Sequence, residues 1–262
     1  MATYYSTKER RAQILQELGH FPEITVTQLS DKFQVSEVTI RKDLNELKKR
    51  NLLTRIRGGA IRLPETNMEI DIAIKEKQLF AFKEKRAIGR LAASLIQENE
   101  TVILDSGTTT LEIAKNLHHL NSLTIVTNAI NIAIELSNYN RFTVILLGGH
   151  LRKSSLSTVG PLTESTLKIF YCDKLFLGVD SFNLEKGVST PNIEEANINQ
   201  TMMSMVKKTI AVFDSSKFNK RSFTFIAPVN KINTIVTDEG IDSEMKSQLK
   251  KMNIELHVAQ IN

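Results

Sequence analysis

The chain of 262 residues holds one cysteine, no tryptophan and five prolines. A single Cys172 excludes an internal disulfide framework and fits a reducing compartment. Its apolar setting, KIFYCDKLFLG, marks a packed thiol rather than a nucleophile. No Cys or His set stands at ligand spacing, and the adjacent His118 and His119 cannot share a helical face, so neither a metal nor a cofactor is expected. No apolar run approaches the ~18 residues that a membrane helix requires. The segment MATYYSTKERRAQ lacks the apolar centre of a signal peptide, and a cytoplasmic chain without membrane association is expected. Walker, GxSxG and GxGxxG sequences are missing too, which removes support for nucleotide hydrolysis, serine-hydrolase chemistry and dinucleotide binding.

What is present is unevenly placed. The length suggests about two domains. Residues 1–62 hold 12 Lys and Arg against 7 Asp and Glu, whereas residues 63–262 are balanced at 22 against 22. The whole excess of positive charge therefore lies in the short N-terminal segment, as expected of a protein that meets a phosphate backbone.

The same segment carries a helix-turn-helix pattern. After an opening helix over about Thr7–Leu18, Leu29 and Phe33 lie four apart and share a helical face. Gln34 and Val35 leave room only for a turn, and Ser36 stands where an N-cap belongs. Ile40, Leu44 and Leu47 then give a second helix its buried stripe. The opposite face presents Val38, Lys42 and Asn45, flanked by Thr39 and Arg41, small, cationic and amide groups suited to a DNA major groove. In LLTRIR-GG-AIRL we expect a wing hairpin, with Arg55 and Arg57 on one side and Gly58 and Gly59 forming a φ > 0 corner. Lys42 and Asn45 are expected to read bases, and the wing arginines to hold phosphates. These residues define a winged helix-turn-helix over 1–62, a linker over 63–76 containing Pro64, and a second domain over 77–262.

Beyond a helical region over 69–97, short Val/Ile/Leu-rich strands alternate with helices of about ten residues, which predicts an α/β domain with a mostly parallel sheet. Ligands of such sheets bind beyond the carboxyl ends of the strands, and polar residues gather there. Asp105, Ser106, Gly107, Thr108 and Thr109 follow the first strand and open a helix, offering backbone N–H groups and hydroxyls to a phosphate. Thr127 and Asn128 end the second strand, and Gly149 with Arg152 follows the third. Asp180, Lys186, Glu195 and Lys217 come after later strands. A pocket for a phosphorylated, hydroxyl-rich molecule accounts for all of them.

Taken in order, VSEVTIRKDLNEL, NLLTRIRGGA, DSGTTT, TNA, GGHLR, VGP, LGVD, GVSTPNIEEA and DSSKF resemble the DeoR/GlpR family of bacterial regulators of sugar metabolism over roughly residues 7–258. The resemblance implies an operator-binding regulator, read as a repressor, that senses a phosphorylated sugar and works on double-stranded DNA as a homodimer or homotetramer. Lys42 stands where the family usually has a second Arg, and RGGA replaces the common HGGA. The effector domain of the family is in turn similar to ribose-5-phosphate isomerase. Matching motifs puts Asp180, Lys186, Glu195 and Lys217 at its active-site positions. A sugar-phosphate isomerase carrying a DNA-binding module is thus the rival. GVST in place of the glycine run after Lys186, and the shortened GVDS, favour a binding pocket without turnover.

Overall fold

The computed structural model describes residues 5–50, 52–61 and 73–261. Two compact units emerge, one formed by described residues up to 61 with 75–82, the other by 73–74 with 83–261. Residues 63–72 of the expected linker, Pro64 included, lie outside the described residues.

In the first unit α1 (Thr7–His20) is capped by Ser6, whose hydroxyl accepts the Glu9 N–H while the Glu9 carboxylate accepts the Ser6 N–H. A three-residue strand, β1 (Glu23–Thr25), leads into α2 (Val26–Phe33), where Thr25 and Gln28 repeat that reciprocal cap. Gln34 takes a left-handed conformation (φ 51°) and turns the chain toward α3 (Glu37–Lys49). Ile14, Leu15 and Leu18 of α1, Leu29 and Phe33 of α2, and Ile40, Leu44 and Leu47 of α3 are all buried. The wing is β2 (Thr54–Ile56) and β3 (Gly59–Ile61), with β3 between β1 and β2.

The wing corner is one residue earlier than expected. Only Gly58 has positive φ, at 83°, so Arg57–Gly58 forms the turn. Gly59 is instead the first residue of β3, paired with Thr25 of β1 and Ile56 of β2. A Cβ there would lie 2.2 Å from the Ile24 carbonyl oxygen, so this glycine is required for close strand approach rather than for its φ.

Within the helical region expected over 69–97, the described residues form α4 (Ile74–Lys77) and α5 (Phe82–Ala93), with Ala81 at φ 48° between them. The second unit then runs β4 (Thr101–Leu104), α6 (Thr108–Ala114), β5 (Leu123–Thr127), α7 (Ile130–Leu136), β6 (Phe142–Leu146), β7 (His150–Arg152), β8 (Ser157–Val159) and α8 (Pro161–Leu167). It continues through β9 (Cys172–Gly178), β10 (Ser181–Asn183), β11 (Gly187–Thr190), α9 (Ile193–Ser204), β12 (Val206–Val212), β13 (Thr224–Ala227), β14 (Thr234–Asp238), α10 (Ser243–Lys251) and β15 (Glu255–Ala259). Seven strands form one parallel sheet in the order β15-β14-β12-β9-β4-β5-β6. Alternation along each strand feeds two cores. Val102, Leu104, Phe176, Val212 and Val236 pack with α5, α6 and α7, while Ile103, Leu175, Leu177, Ala211 and Ile235 pack with α8, α9 and α10.

Helix α6 stops at Ala114 after seven residues, shorter than the helices of about ten residues expected. The Asn116 amide donates to the Glu112 carbonyl at 2.7 Å, and a polar side chain competing for backbone groups ends the helix. The sequence pattern did not reveal the antiparallel pair β7–β8 or the sheet β10-β11-β13. Their strands are only three or four residues long and mix polar with apolar types, too short to show a period.

Candidate functional site

On the first unit Val38, Arg41, Lys42 and Asn45 are all exposed, and their i, i+3, i+4, i+7 spacing puts them on one face of α3. Val38 is 58% exposed, an apolar side chain suited to a thymine methyl. Ser36 and Thr39 are engaged in the cap: the Ser36 hydroxyl accepts the Thr39 N–H at 3.2 Å, and the two hydroxyls meet at 2.9 Å. Arg41 pairs with Glu37 at 2.5 Å, which Thr27 holds in turn at 3.1 Å. Lys42 and Arg57 make no ion pair with a described residue, so their charge is available to an anion. The wing arginines part company. Arg57 is exposed at the corner, whereas Arg55 is half-buried and its Nη1 donates to the Arg41 carbonyl at 3.4 Å, tying wing to helix.

Sequence reasoning missed the anchor beneath this face. Asp43, 2% exposed, accepts Arg10 Nε at 2.6 Å and Arg11 Nε at 2.8 Å. Two of the basic residues counted toward DNA binding are therefore spent inside the fold. The aspartate stands between Lys42 and Leu44, and an acidic residue flanking a buried stripe was the only available signal.

In the second unit the chain leaves β4 toward β5 and β6, then returns to the other side of β4 with β9. The β4/β9 boundary is the switch point at which open α/β sheets bind ligands. Asp105 ends β4 there, 2% exposed, and its Oδ2 accepts the Gly178 N–H at 2.9 Å. Burial pushes its carboxyl well above the usual range. The Gly178 N–H opposes that shift, while Glu195 and Asp180 reinforce it as like charges. Thr110 pins the loop by donating to the carbonyls of Asp105 and Gly107, at 3.0 and 3.1 Å. Gly107 is extended (φ −154°); a Cβ on it would stand 2.9 Å from the Thr110 hydroxyl. Thr108 and Thr109 are buried, with Ser106 and Gly107 half-buried above them.

Beside this loop runs a polar chain. The Thr190 hydroxyl lies 3.0 Å from Asp180 Oδ2 and 3.4 Å from Glu195 Oε2. Arg152 donates to Glu195 Oε1 at 3.0 Å and to the Ser155 hydroxyl at 2.9 Å, and Ser155 meets Ser157 at 2.7 Å. Asn192 caps α9 by accepting the Glu195 N–H at 3.0 Å, which fixes Glu195 in the first turn. Strand β8 reaches the end of β5: Asn128 Nδ2 donates to the Thr158 carbonyl at 2.9 Å and Thr158 N donates back at 2.8 Å. Asp105, Asp180, Arg152 and Glu195 are thus gathered, together with Thr190, Ser155 and Ser157, which sequence reasoning did not single out. Their signal was slight, because hydroxyls in SSLS and VST carry no pattern of their own.

Other expected residues serve different ends. The Thr127 hydroxyl accepts the Ala129 N–H at 3.1 Å and shapes the turn. At Gly149 (φ 150°) a Cβ would collide with the Thr163 hydroxyl at 1.9 Å. Lys186 is exposed at the tip of the β10–β11 hairpin, its N–H donating to Asn183 at 2.9 Å. Asp180 and Thr190 lie at the other end of that hairpin, roughly 10 Å away at strand rise, so Lys186 does not join the cluster. Lys217 stands beside Asp214, one strand over from β9. Burial alone would push the Asp214 carboxyl up, but Lys217 and Lys85, with Ser216, outweigh it and hold it below its usual value.

The DeoR-like helix-turn-helix domain matches residues 10–66, and the DeoR C terminal sensor domain matches residues 81–239. A putative aga operon transcriptional repressor of Escherichia coli O157:H7 is 39% identical over 250 residues, covering 95% of this chain and 93% of that protein. The HTH-type transcriptional regulator GlpR of Haloferax volcanii is 33% identical over 246 residues, covering 94% and 95%. Among solved structures, ribose 5 phosphate isomerase A from Neisseria gonorrhoeae overlaps 52% of this chain and 53% of its own, at 16% identity and a TM-score of 0.38.

Proposed function

The chain belongs to the DeoR family of DNA-binding transcriptional regulators, and on that premise we propose that it represses a sugar-catabolism operon and is released by a phosphorylated sugar. The observation that carries the sensing half is the buried polar cluster at the β4/β9 switch point, beside a loop with free first-turn N–H groups. In this reading Ser106, Gly107, Thr108 and Thr109 surround the phosphate, with the Lys217 cation one strand over from β9. Asp105, Asp180 and Glu195 face the hydroxyls, while Arg152 holds Glu195 in place. Val38, Lys42 and Asn45 read operator bases, and Arg57 anchors the backbone. A homodimer or homotetramer in the cytoplasm matches two-fold operators, because one wing-helix module buries little DNA surface. The effector shifts DNA affinity only by the difference in its affinity for the DNA-competent and released arrangements.

The isomerase alternative is disfavoured by Lys186, whose place at the hairpin tip leaves the isomerase-like set unassembled. Ser106→Asp, half-buried at the loop, tests the sensing assignment by setting like charge against the phosphate. Operator binding should persist while release by sugar phosphates is lost. Release at the wild-type effector concentration would refute the phosphate loop, and turnover of pentose or hexose phosphates by the wild type would establish the enzyme instead.

A further inference from the structure

Among the described residues, buried side-chain atoms without a hydrogen-bond partner include Oδ1 of Asp105, Oδ1 of Asn128 and both amide atoms of Asn131. They belong to neighbouring positions. Leu104 and Thr127 are register partners, so Asp105 and Asn128 follow on adjacent strand ends, at a strand spacing of ~4.8 Å. Asn131 comes three residues later in the first turn of α7. Glycines keep space around the Asp105 oxygen: a Cβ on Gly178 would stand 3.3 Å from Oδ1, and one on Gly107 3.6 Å.

A buried polar atom left unpaired loses its water without a replacement, which is why such atoms are uncommon in folded chains. Asp105 and Asn128 each use one side of their head group structurally, on the Gly178 N–H and the Thr158 carbonyl, and leave an acceptor over. Asn131 has no side-chain hydrogen bond to any described residue, so nothing structural accounts for its amide. Two spare acceptors with an amide that both donates and accepts suit hydroxyl groups, which do the same.

We propose that Asn131 is a ligand-binding residue that acts with Asp105 and Asn128 to read the hydroxyls of a phosphorylated sugar. This rests on the sensing function above and adds what selects the sugar: hydroxyl contacts on this wall, with the phosphate loop serving any phosphorylated ligand. Buried donors and acceptors discriminate strongly, because a ligand lacking the matching hydroxyl leaves them unpaired.

The test uses the full chain, a panel of pentose and hexose phosphates, and inorganic phosphate, followed by calorimetric titration and thermal melting. Asn131→Leu keeps the branched shape and removes both unpaired atoms. The ligand-free variant should melt at or above the wild-type temperature. Its affinity for the best sugar phosphate should fall by about tenfold or more, with affinity for inorganic phosphate unchanged. Asn131→Asp, which turns the donor into an acceptor, should show the same selective loss and serves if the leucine variant fails to fold. Wild-type affinity for the sugar phosphate in both variants would overturn the role of Asn131 and leave sugar-phosphate sensing standing. A lower melting point with equal losses for both ligands would make Asn131 structural. If no sugar phosphate binds the wild type, the sensing function falls as well.

Discussion

Two aspartates, each 2% exposed, are treated in opposite ways by the two units. Asp43 in the first unit receives guanidinium groups from Arg10 and Arg11, so a buried charge is matched by charge. Asp105 in the second receives one backbone N–H and keeps an unpaired oxygen, with two further carboxylates close by. The first arrangement suits a small helical unit that must hold its recognition helix rigidly while presenting Val38, Lys42 and Asn45. The second leaves a buried oxygen unsatisfied, a local cost in stability that fits the sensing role proposed above.

The sharpest way to break this contrast is Asp43→Ala. It strands Arg10 in the interior, and removal of one partner from a buried pair costs about 3–5 kcal/mol. The first unit should unfold well before the second on heating, and operator binding should vanish at assay temperature. A single melting transition at the wild-type temperature with DNA binding intact would show that the pair contributes no stability.

A smaller effect is expected on the exposed face. Replacing Arg41 and Lys42 together by Ala should leave the melting profile nearly unchanged. Operator affinity should weaken, and the salt dependence should flatten by about one unit of slope for each DNA phosphate that these side chains no longer neutralise. Site selection with Lys42→Ala should alter the preferred bases, whereas Arg57→Ala should weaken all sequences alike. Equal changes in base preference would reassign the wing.

The smallest effect belongs to Asp105→Asn. Because burial raises the native carboxyl, the folded chain binds its proton more tightly than the unfolded chain does. The stability linked to this proton is therefore present below the unfolded value of about 3.9 and is lost as pH rises through the elevated native one. The asparagine variant should melt slightly above the wild type at neutral pH, on the order of 2–4 °C, the shift that about 1 kcal/mol produces in a domain of this size. The two should converge near pH 4. A variant that melts lower at neutral pH would make Asp105 a stabilising residue, like Asp43.

Local pattern by itself determined a good deal. Apolar spacing at four and three residues located the recognition helix, because burial on one face imposes that period, while Val/Ile/Leu-rich runs announced the mostly parallel sheet, whose strands are buried on both faces. The charge imbalance and the exposed face of α3 were legible for the same reason: solvent-facing residues need no partner to be recognised. Tertiary structure alone decided which polar residues share a site. Arg152 meets Glu195 across 43 positions, and Arg10 meets Asp43 across 33. It separated Lys186 from Asp180 by the length of a hairpin that no period announced, and it put Gly59 rather than the wing corner against Ile24. It also decided which buried atoms were left without partners. Pairing of this kind depends on distances between strand ends and loops remote in sequence, and a one-dimensional pattern carries no record of those distances.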